Sequence, residues 1–328
     1  MSQAYAHAGV DIDAANRTVL LIREAVRSTY GPEVLAGVGA FGGLFEASAL
    51  RDARNPVLVS SVDGVGTKTK IAAARGRYDT IGQDLVNHCV NDILCQGARP
   101  LFFLDYFASA KLESEVVAEV VAGLAAACRD VGCALLGGET AEMPGVYAAG
   151  EFDLVGTVVG WVERDRIVDG SGIRPGDALI GLASSGPHTN GYSLIRQAFA
   201  DVPLDHVYPK MGRPLGDVLL EPHRCYLHDV ERLREAVQIK GMAHITGGGL
   251  VDNPPRMLPD GLRARFDWGS WPVPPIFSLI RRLAGISDEE MRRVFNLGLG
   301  MVLVVAPDDA ERALDALGEG AWKVGDVL

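Results

Sequence analysis

The stretch ERDRIVDGSGIRPGD, residues 163–177, is polar and glycine-rich and lies between two blocks of apolar, strand-like sequence. A segment of this composition has nothing to bury and reads as a linker, which predicts two domains, 1–165 and 166–328. Upstream of it, Val-, Leu- and Phe-rich runs at 57–62, 101–107, 134–136 and 154–162 predict strands. Helical spacing at 18–31, 81–96 and 112–131 predicts helices. Downstream, strands are predicted at 178–183, 242–245, 262–266, 299–305 and 322–327, and helices at 192–199, 224–236, 276–283, 288–295 and 308–317. Neither half keeps the steady strand–helix alternation of a doubly wound sheet, so the fold class expected is α+β in two domains.

At 328 residues, 48% hydrophobic and 22% charged, each half is long enough to bury its own core. The net charge of −11 argues against a nucleic-acid partner, because affinity for a phosphate backbone comes from clustered Lys and Arg. An anionic ligand would need local positive charge or a metal. No apolar run approaches the roughly 18 residues of a membrane helix, and the start MSQAYAHAGVDIDAANR lacks the regions of a signal peptide. A cytoplasmic protein with no membrane partner is expected. Cys89, Cys95, Cys128, Cys133 and Cys225 are odd in number and form no C-x-x-C pair, so they are expected to be reduced.

The chemistry gathers in five places. NPVLVSSVDGVGTKTK (55–70) ends a strand in a loop that matches neither G-x-x-x-x-G-K-[ST] nor G-x-G-x-x-G. It offers a carboxylate, Asp63, together with two glycines whose N–H groups can approach an anion. Asp63 would repel a phosphate unless a divalent cation lay between them, so the loop reads as a site for metal-bound phosphate, and Mg2+ suits it. In QDLVNHCVNDILCQG (83–97), Asp84, Asn87, His88, Asn91 and Asp92 share one helix face with no cation of its own, which again points to a metal. CALLGGETAEMPG (133–145) places Glu139 and Thr140 after two glycines at a strand end. In the second half, SSGPHTNGYS (184–193) and AHITGGGLVDN (243–253) each put a histidine beside a glycine-rich helix start, suited to anion binding or proton transfer. His7, His206, His223 and His228 have no such setting and read as surface or packing residues.

With these residues assembled, the chain resembles the phosphoribosylformylglycinamidine cyclo-ligases, the aminoimidazole ribonucleotide synthetases of purine biosynthesis. The likeness runs through YAHAGVDIDA, GAFGGLF, DGVGTK, DTIGQDLVNHCVNDILCQGARPLFFLDY, GGETAEMPG, SSGPHTNGYS, HITGGGLVDNPPRMLP and FNLGLGM. It implies an ATP-dependent ligase that phosphorylates the amide oxygen of formylglycinamidine ribonucleotide and then closes the imidazole ring, releasing ADP and phosphate. The nucleotide residues it implies are Gly42, Gly43, Asp63, Gly64, Val65, Gly66, Thr67, Lys68, Asn91, Asp92, Gly137, Gly138, Glu139 and Thr140. Metal ligands would be Asp63, Asp84, Asp92 and Glu139. The substrate side would be Ser185, Gly186, His188, Asn190, Gly191, Thr246, Gly247, Gly248 and Gly249, with His188, His244 and Lys68 in catalytic roles. The resemblance further implies a homodimer in which N-terminal half-barrel sheets pair across the interface. The C-terminal domain would be an α/β sandwich of ferredoxin-like type that completes the active-site cleft. A kinase of the same superfamily and a non-catalytic nucleotide-binding scaffold are the competing readings.

Overall fold

The computed structural model describes residues 11–328, the side chain of Ala49 excepted. Among the described residues the chain divides into two compact units, one formed by 11–93 with Ala98–Asp165, the other by Leu94–Gly97 with Arg166–Leu328.

The first unit opens with helix α1 (Ile12–Arg27), capped by Asp11, whose carboxylate accepts from the N–H groups of Asp13 and Ala14. This Asx cap moves the start six residues ahead of the apolar periodicity that signals the helix. A short strand pair follows, β1 (Val34–Ala36) with β2 (Leu44–Phe45). Then come β3 (Pro56–Gly64), helices α2 (Thr69–Arg75) and α3 (Asp79–Leu94), and β4 (Arg99–Ser109). The unit ends with α4 (Ser114–Asp130), β5 (Ala134–Glu142) and β6 (Phe152–Glu163). Four strands form a half-barrel sheet in the order β3-β6-β4-β5, in which only β4 and β5, joined through α4, run parallel. One row across it reads Asp63, Gly156, Asp105, Gly138.

Along β6 every second residue from Leu154 to Val162 is buried and the intervening ones are half-exposed, the alternation of a sheet covered on one face. Glycines let the cover approach: a Cβ on Gly156 would meet Leu85 of α3 and the Phe103 ring, and one on Gly160 would meet Ile93. The helices α3 and α4 cross where Gly82 faces Val120 and Gly123 faces Asp79, each with a backbone carbonyl where a Cβ would stand. The other face stays open and apolar, with Leu58 63% and Val62 64% exposed.

The second unit contains β7 (Ala178–Ala183), α5 (Tyr192–Ala198), α6 (Leu215–Leu219), α7 (Leu227–Ala236) and β8 (Gly241–His244). It continues with α8 (Gly249–Asp252), β9 (Ala264–Phe266), α9 (Pro275–Ala284), α10 (Asp288–Val294), β10 (Leu299–Val305), α11 (Ala310–Leu317) and β11 (Ala321–Val327). Its sheet is antiparallel throughout, in the order β8-β10-β7-β11-β9. All seven residues of β10 are buried, so this strand is covered on both faces. Its sequence LGMVLVV is accordingly a continuous apolar run.

Candidate active site

Strand β3 delivers Asp63 to the foot of α3. His88 Nε2 lies 2.9 Å from Asp63 Oδ2 and 3.9 Å from Asp92 Oδ2, and the Ser61 hydroxyl donates to Asp92 Oδ2 at 2.9 Å. Asp63 also accepts from the Gly64 N–H at 2.7 Å. Burial works to lower the His88 pKa, but the hydrogen bond and charge of Asp63, with Asp92 and Asp84 behind them, outweigh it and hold the imidazole above its ordinary value. Asp63 shows the converse: burial pushes it up, while His88 and the Gly64 N–H together pull it below the usual carboxylate range. The polar face of α3 is therefore turned onto the β3 loop, with Asp84, His88 and Asn91 buried and Asp92 partly exposed.

One expectation for this face needs correction, that it has no cation of its own. The Lys68 ammonium is buried 2.9 Å from Asp84 Oδ1 and 2.8 Å from Oδ2. The face that looked devoid of a cation receives one from α2's approach turn, and Asp84 is ion-paired with it. The loop itself is a short 3-10 turn, Gly66–Lys68, with Gly66 at φ +67°. The Val65 N–H is spent on Leu154 O at 3.1 Å and the Gly64 N–H on Asp63, which leaves Gly66 and Thr67 as the outward part.

A second correction concerns Gly137, Gly138, Glu139 and Thr140, which were expected just past the end of a strand over 134–136. They are inside β5, which runs on to Glu142. β5 and β3 are opposite edges of the sheet, so two strands separate Glu139 from Asp63 and Asp92 within one chain. On the β5 side a cavity of about 520 Å³ is lined by the 37–43 glycine segment, Gly137–Thr140, the apolar side of α1 and Asp105. Gly42 and Gly43 belong to this rim. Gly138 is small because Asp105 lies over it: a Cβ there would stand 2.3 Å from Oδ1. Asp105 keeps some accessible surface, yet burial pushes its carboxyl up to about 7 against the pull of its own backbone N–H. Nothing in the LFFLDY pattern marked this aspartate beyond its being an acid in an apolar strand.

In the second unit the two histidine segments do meet, and a third histidine joins them. His188, at φ 61° in the turn after β7, stacks on His223 with ring centroids 3.9 Å apart and 23° between planes. His223 Nε2 lies 2.9 Å from His244 Nε2, and its Nδ1 lies 3.4 Å from Thr189 Oγ1. All three rings are buried, so of the two readings the sequence left for His223, surface or packing, it takes the packing one. His206 and His228 are exposed, and His7 lies outside the described residues. Asn190 reaches the second glycine run, its Oδ1 being 3.4 Å from where a Gly247 Cβ would stand.

Other members of these segments have packing reasons. Ser185 Oγ donates to Pro222 O at 2.5 Å, and the Thr246 N–H donates to Asn253 Oδ1 at 2.9 Å. Gly191 makes room for the Phe295 ring, and Gly249, at φ +56°, for Arg292 O. Gly186 and Gly248 hold φ values of +154° and +103°. The helix after the glycine run, α8, is a single turn, too short for a strong N-terminal dipole.

Sequence profiles of known families match both units: AIR synthase related protein, N-terminal domain, over residues 46–162, and its C-terminal domain over 174–328. The chain is 57% identical to a phosphoribosylformylglycinamidine cyclo-ligase of Anaeromyxobacter sp. (strain Fw109-5), covering 100% of this chain and 96% of that one. It is 52% identical to the protein of the same name from Geobacillus kaustophilus (strain HTA426), with the same coverage. Among solved structures, thiamine-monophosphate kinase from Stenotrophomonas maltophilia K279a superposes with a TM-score of 0.68 at 20% identity, over 94% of this chain and 93% of that one. HypE in complex with ATP gives 0.63 at 20% identity, over 92% and 83%. These two likenesses establish the fold.

Proposed function

Because the chain belongs to the AIR synthase related family, and within it to the phosphoribosylformylglycinamidine cyclo-ligases, we propose that it closes the imidazole ring of aminoimidazole ribonucleotide at the expense of ATP. The reaction has two parts. The amide oxygen of formylglycinamidine ribonucleotide takes the γ-phosphoryl group of ATP, which turns a poor leaving group into a good one. A nitrogen of the same substrate then attacks that carbon, and phosphate departs. The observation that carries the reading is the meeting of the β3 loop with the polar face of α3, where Asp63 and Asp92 stand on either side of His88.

In this reading Gly66 and Thr67 face the triphosphate, with Asn91 beside them. His88 and Ser61 hold the two carboxylates in place, as outer partners orient ligating groups. Mg2+ fits the donor set: it binds through one or two carboxylates plus phosphate oxygens, and Asp63 and Asp92 are the partly exposed pair. When bound, the ion offsets charge on the transferring phosphoryl group. Lys68 holds Asp84 and the loop's base, a positioning role. On the substrate side, His188, Asn190 and His244, with the 247–249 glycines, bind the ribonucleotide phosphate or move the proton released at ring closure.

Glu139 and the β5 cavity join this site through a second copy of the chain. A homodimer that closes two half-barrels face to face would cover Leu58 and Val62 and remove the open sheet edges. The second unit reads as a ferredoxin-like sandwich: β7, β8, β10 and β11 follow its interleaved antiparallel order, with β9 added at the edge. A cytoplasmic location suits the pathway, and no helix among the described residues is long and apolar enough to cross a membrane.

The test is a stoichiometry. With formylglycinamidine ribonucleotide and ATP, the protein is expected to release ADP, free phosphate and an aromatic amine in equal amounts. A phosphorylated acceptor accumulating without free phosphate would make it a kinase instead, and no turnover above background would return the scaffold reading.

A further inference from the structure

Resting on the proposed function, in which the β5 cavity takes part of the nucleotide, we infer that Tyr30 is a positioning residue for nucleotide binding. Its hydroxyl sets the 37–43 glycine segment against β5. The tyrosine does not itself line the cavity and acts through the segments that do.

β5 is an edge strand, so one side of its backbone has no strand to pair with. The turn after α1 supplies side chains in place of a strand. Thr29 Oγ1 donates to Val26 O at 2.7 Å and accepts from the Leu135 N–H at 2.9 Å. Leu136 is the odd residue in the ladder with β4, because Leu135 pairs with Phe103 and Gly137 with Leu104. A bulge of this kind leaves its extra residue out of the ladder and re-aims the strand that follows, here the Gly137–Thr140 wall of the cavity. Tyr30 lies against the bulge, its hydroxyl 3.5 Å from Leu136 O. The same oxygen accepts from the Val38 N–H at 2.9 Å. One hydroxyl therefore joins two walls, since Gly37 and Val38 line the cavity on one side and Leu136 on the other.

The glycine segment connects β1 to β2 and is seated at its ends. Gly37 is small because the Tyr30 hydroxyl lies over it: a Cβ there would stand 2.0 Å from that oxygen. At the far end a Cβ on Gly43 would stand 2.4 Å from Leu136 Cγ. Between the two seats, Gly39, at φ +97°, and Gly42 have no described atom within 4 Å of a Cβ, and Phe41 is fully exposed. The middle of the segment thus has little packing of its own, and its place depends on the seats. A cavity of about 520 Å³ is of a size that takes a small molecule. With the Val38 N–H held by Tyr30, the ligand meets a wall already in position. Without that tie the segment must be ordered as the ligand binds, and the ordering costs affinity. The cost falls on association and leaves the bound complex the same, so KM for ATP should move and kcat should not.

The experiment compares wild type with Tyr30→Phe, which keeps the ring and removes the hydroxyl. Thr29→Val serves as the control: it alters the same edge of β5 at Leu135 without touching the glycine segment. For Tyr30→Phe we expect the Kd of the non-hydrolysable analogue AMPPCP with Mg2+, read by calorimetry, to rise about 3- to 10-fold. KM for ATP should rise by a similar factor, with kcat at saturating ATP and KM for the ribonucleotide unchanged. Hydrogen exchange at the Val38 amide should quicken in the free variant and slow again when AMPPCP is bound. Thr29→Val should keep the wild-type Kd. An unchanged Kd in Tyr30→Phe, whether or not Tm falls, overturns the proposal, as does an equal rise in Thr29→Val or a fall in kcat with KM unmoved. Failure of the ring-closure reading shows separately, as a wild type that binds AMPPCP and loses affinity on Tyr30→Phe yet makes no aromatic amine.

Discussion

Asp105→Asn is the sharpest test of the half-barrel's interior. The carboxyl sits at the back of the β5 cavity, above Gly138, and burial raises it from 3.8 to about 7. Between those values the folded chain holds a proton that the unfolded chain has released. Stability therefore falls as pH climbs from about 4 to about 7 and levels off above, the reverse of a salt-bridged carboxylate. A shift of about 3 units corresponds to about 4 kcal/mol at most, and the side of the carboxyl that faces the cavity trims this to roughly 2–4 kcal/mol. Asparagine has the same shape and does not titrate. Urea unfolding of both proteins from pH 4.5 to 8.5 should show curves close together at the acid end, with the variant gaining steadily to pH 8. The acid end also measures any cost of the amide itself. A difference that stays constant across the range, or a variant weaker at pH 8, would refute the reasoning.

Lys68→Met should destabilise the chain by about 3–5 kcal/mol by leaving Asp84 charged and buried, and Lys68→Met/Asp84→Leu should recover most of it; a loss of turnover without loss of stability would instead give Lys68 a chemical role. Asp92→Asn should lower kcat at least about 100-fold with Tm nearly unchanged, read by phosphate release across a Mg2+ titration; full activity would remove Asp92 from the metal site. Leu58→Glu with Val62→Glu should shift sedimentation to a monomer if the open sheet face is the dimer contact, and an unchanged coefficient would place the contact elsewhere.

Local patterning made most of the fold legible. Strands at 178–183 and 299–305 match β7 and β10 residue for residue, because a buried strand between turn residues has sharp chemical edges. β5 was cut short because Gly-Gly-Glu-Thr reads as flexible backbone at a strand end, whereas Gly138 is there to pass Asp105. The α3 face was legible as polar and unusual, but the partner of each acid was not. Lys68 is sixteen residues from Asp84 in another element, and only the tertiary fold pairs them. His223 was invisible for the same reason: EPHR carries no glycine turn, and its meaning comes wholly from His188 and His244. The opposite-edge placement of Asp63 and Glu139 depends on strand order, which side-chain periodicity does not encode.

That strand order carries a genetic signature. If a working centre takes its β3 acids from one copy and its β5 acid from another, a chain crippled at Asp92 and a chain crippled at Glu139 are each dead alone. Co-expressed, they pair at random, and half of the pairs are mixed. Each mixed pair concentrates both lesions in one centre and leaves the other intact, so about a quarter of normal flux should return. Rescue between alleles would then be expected within a single gene.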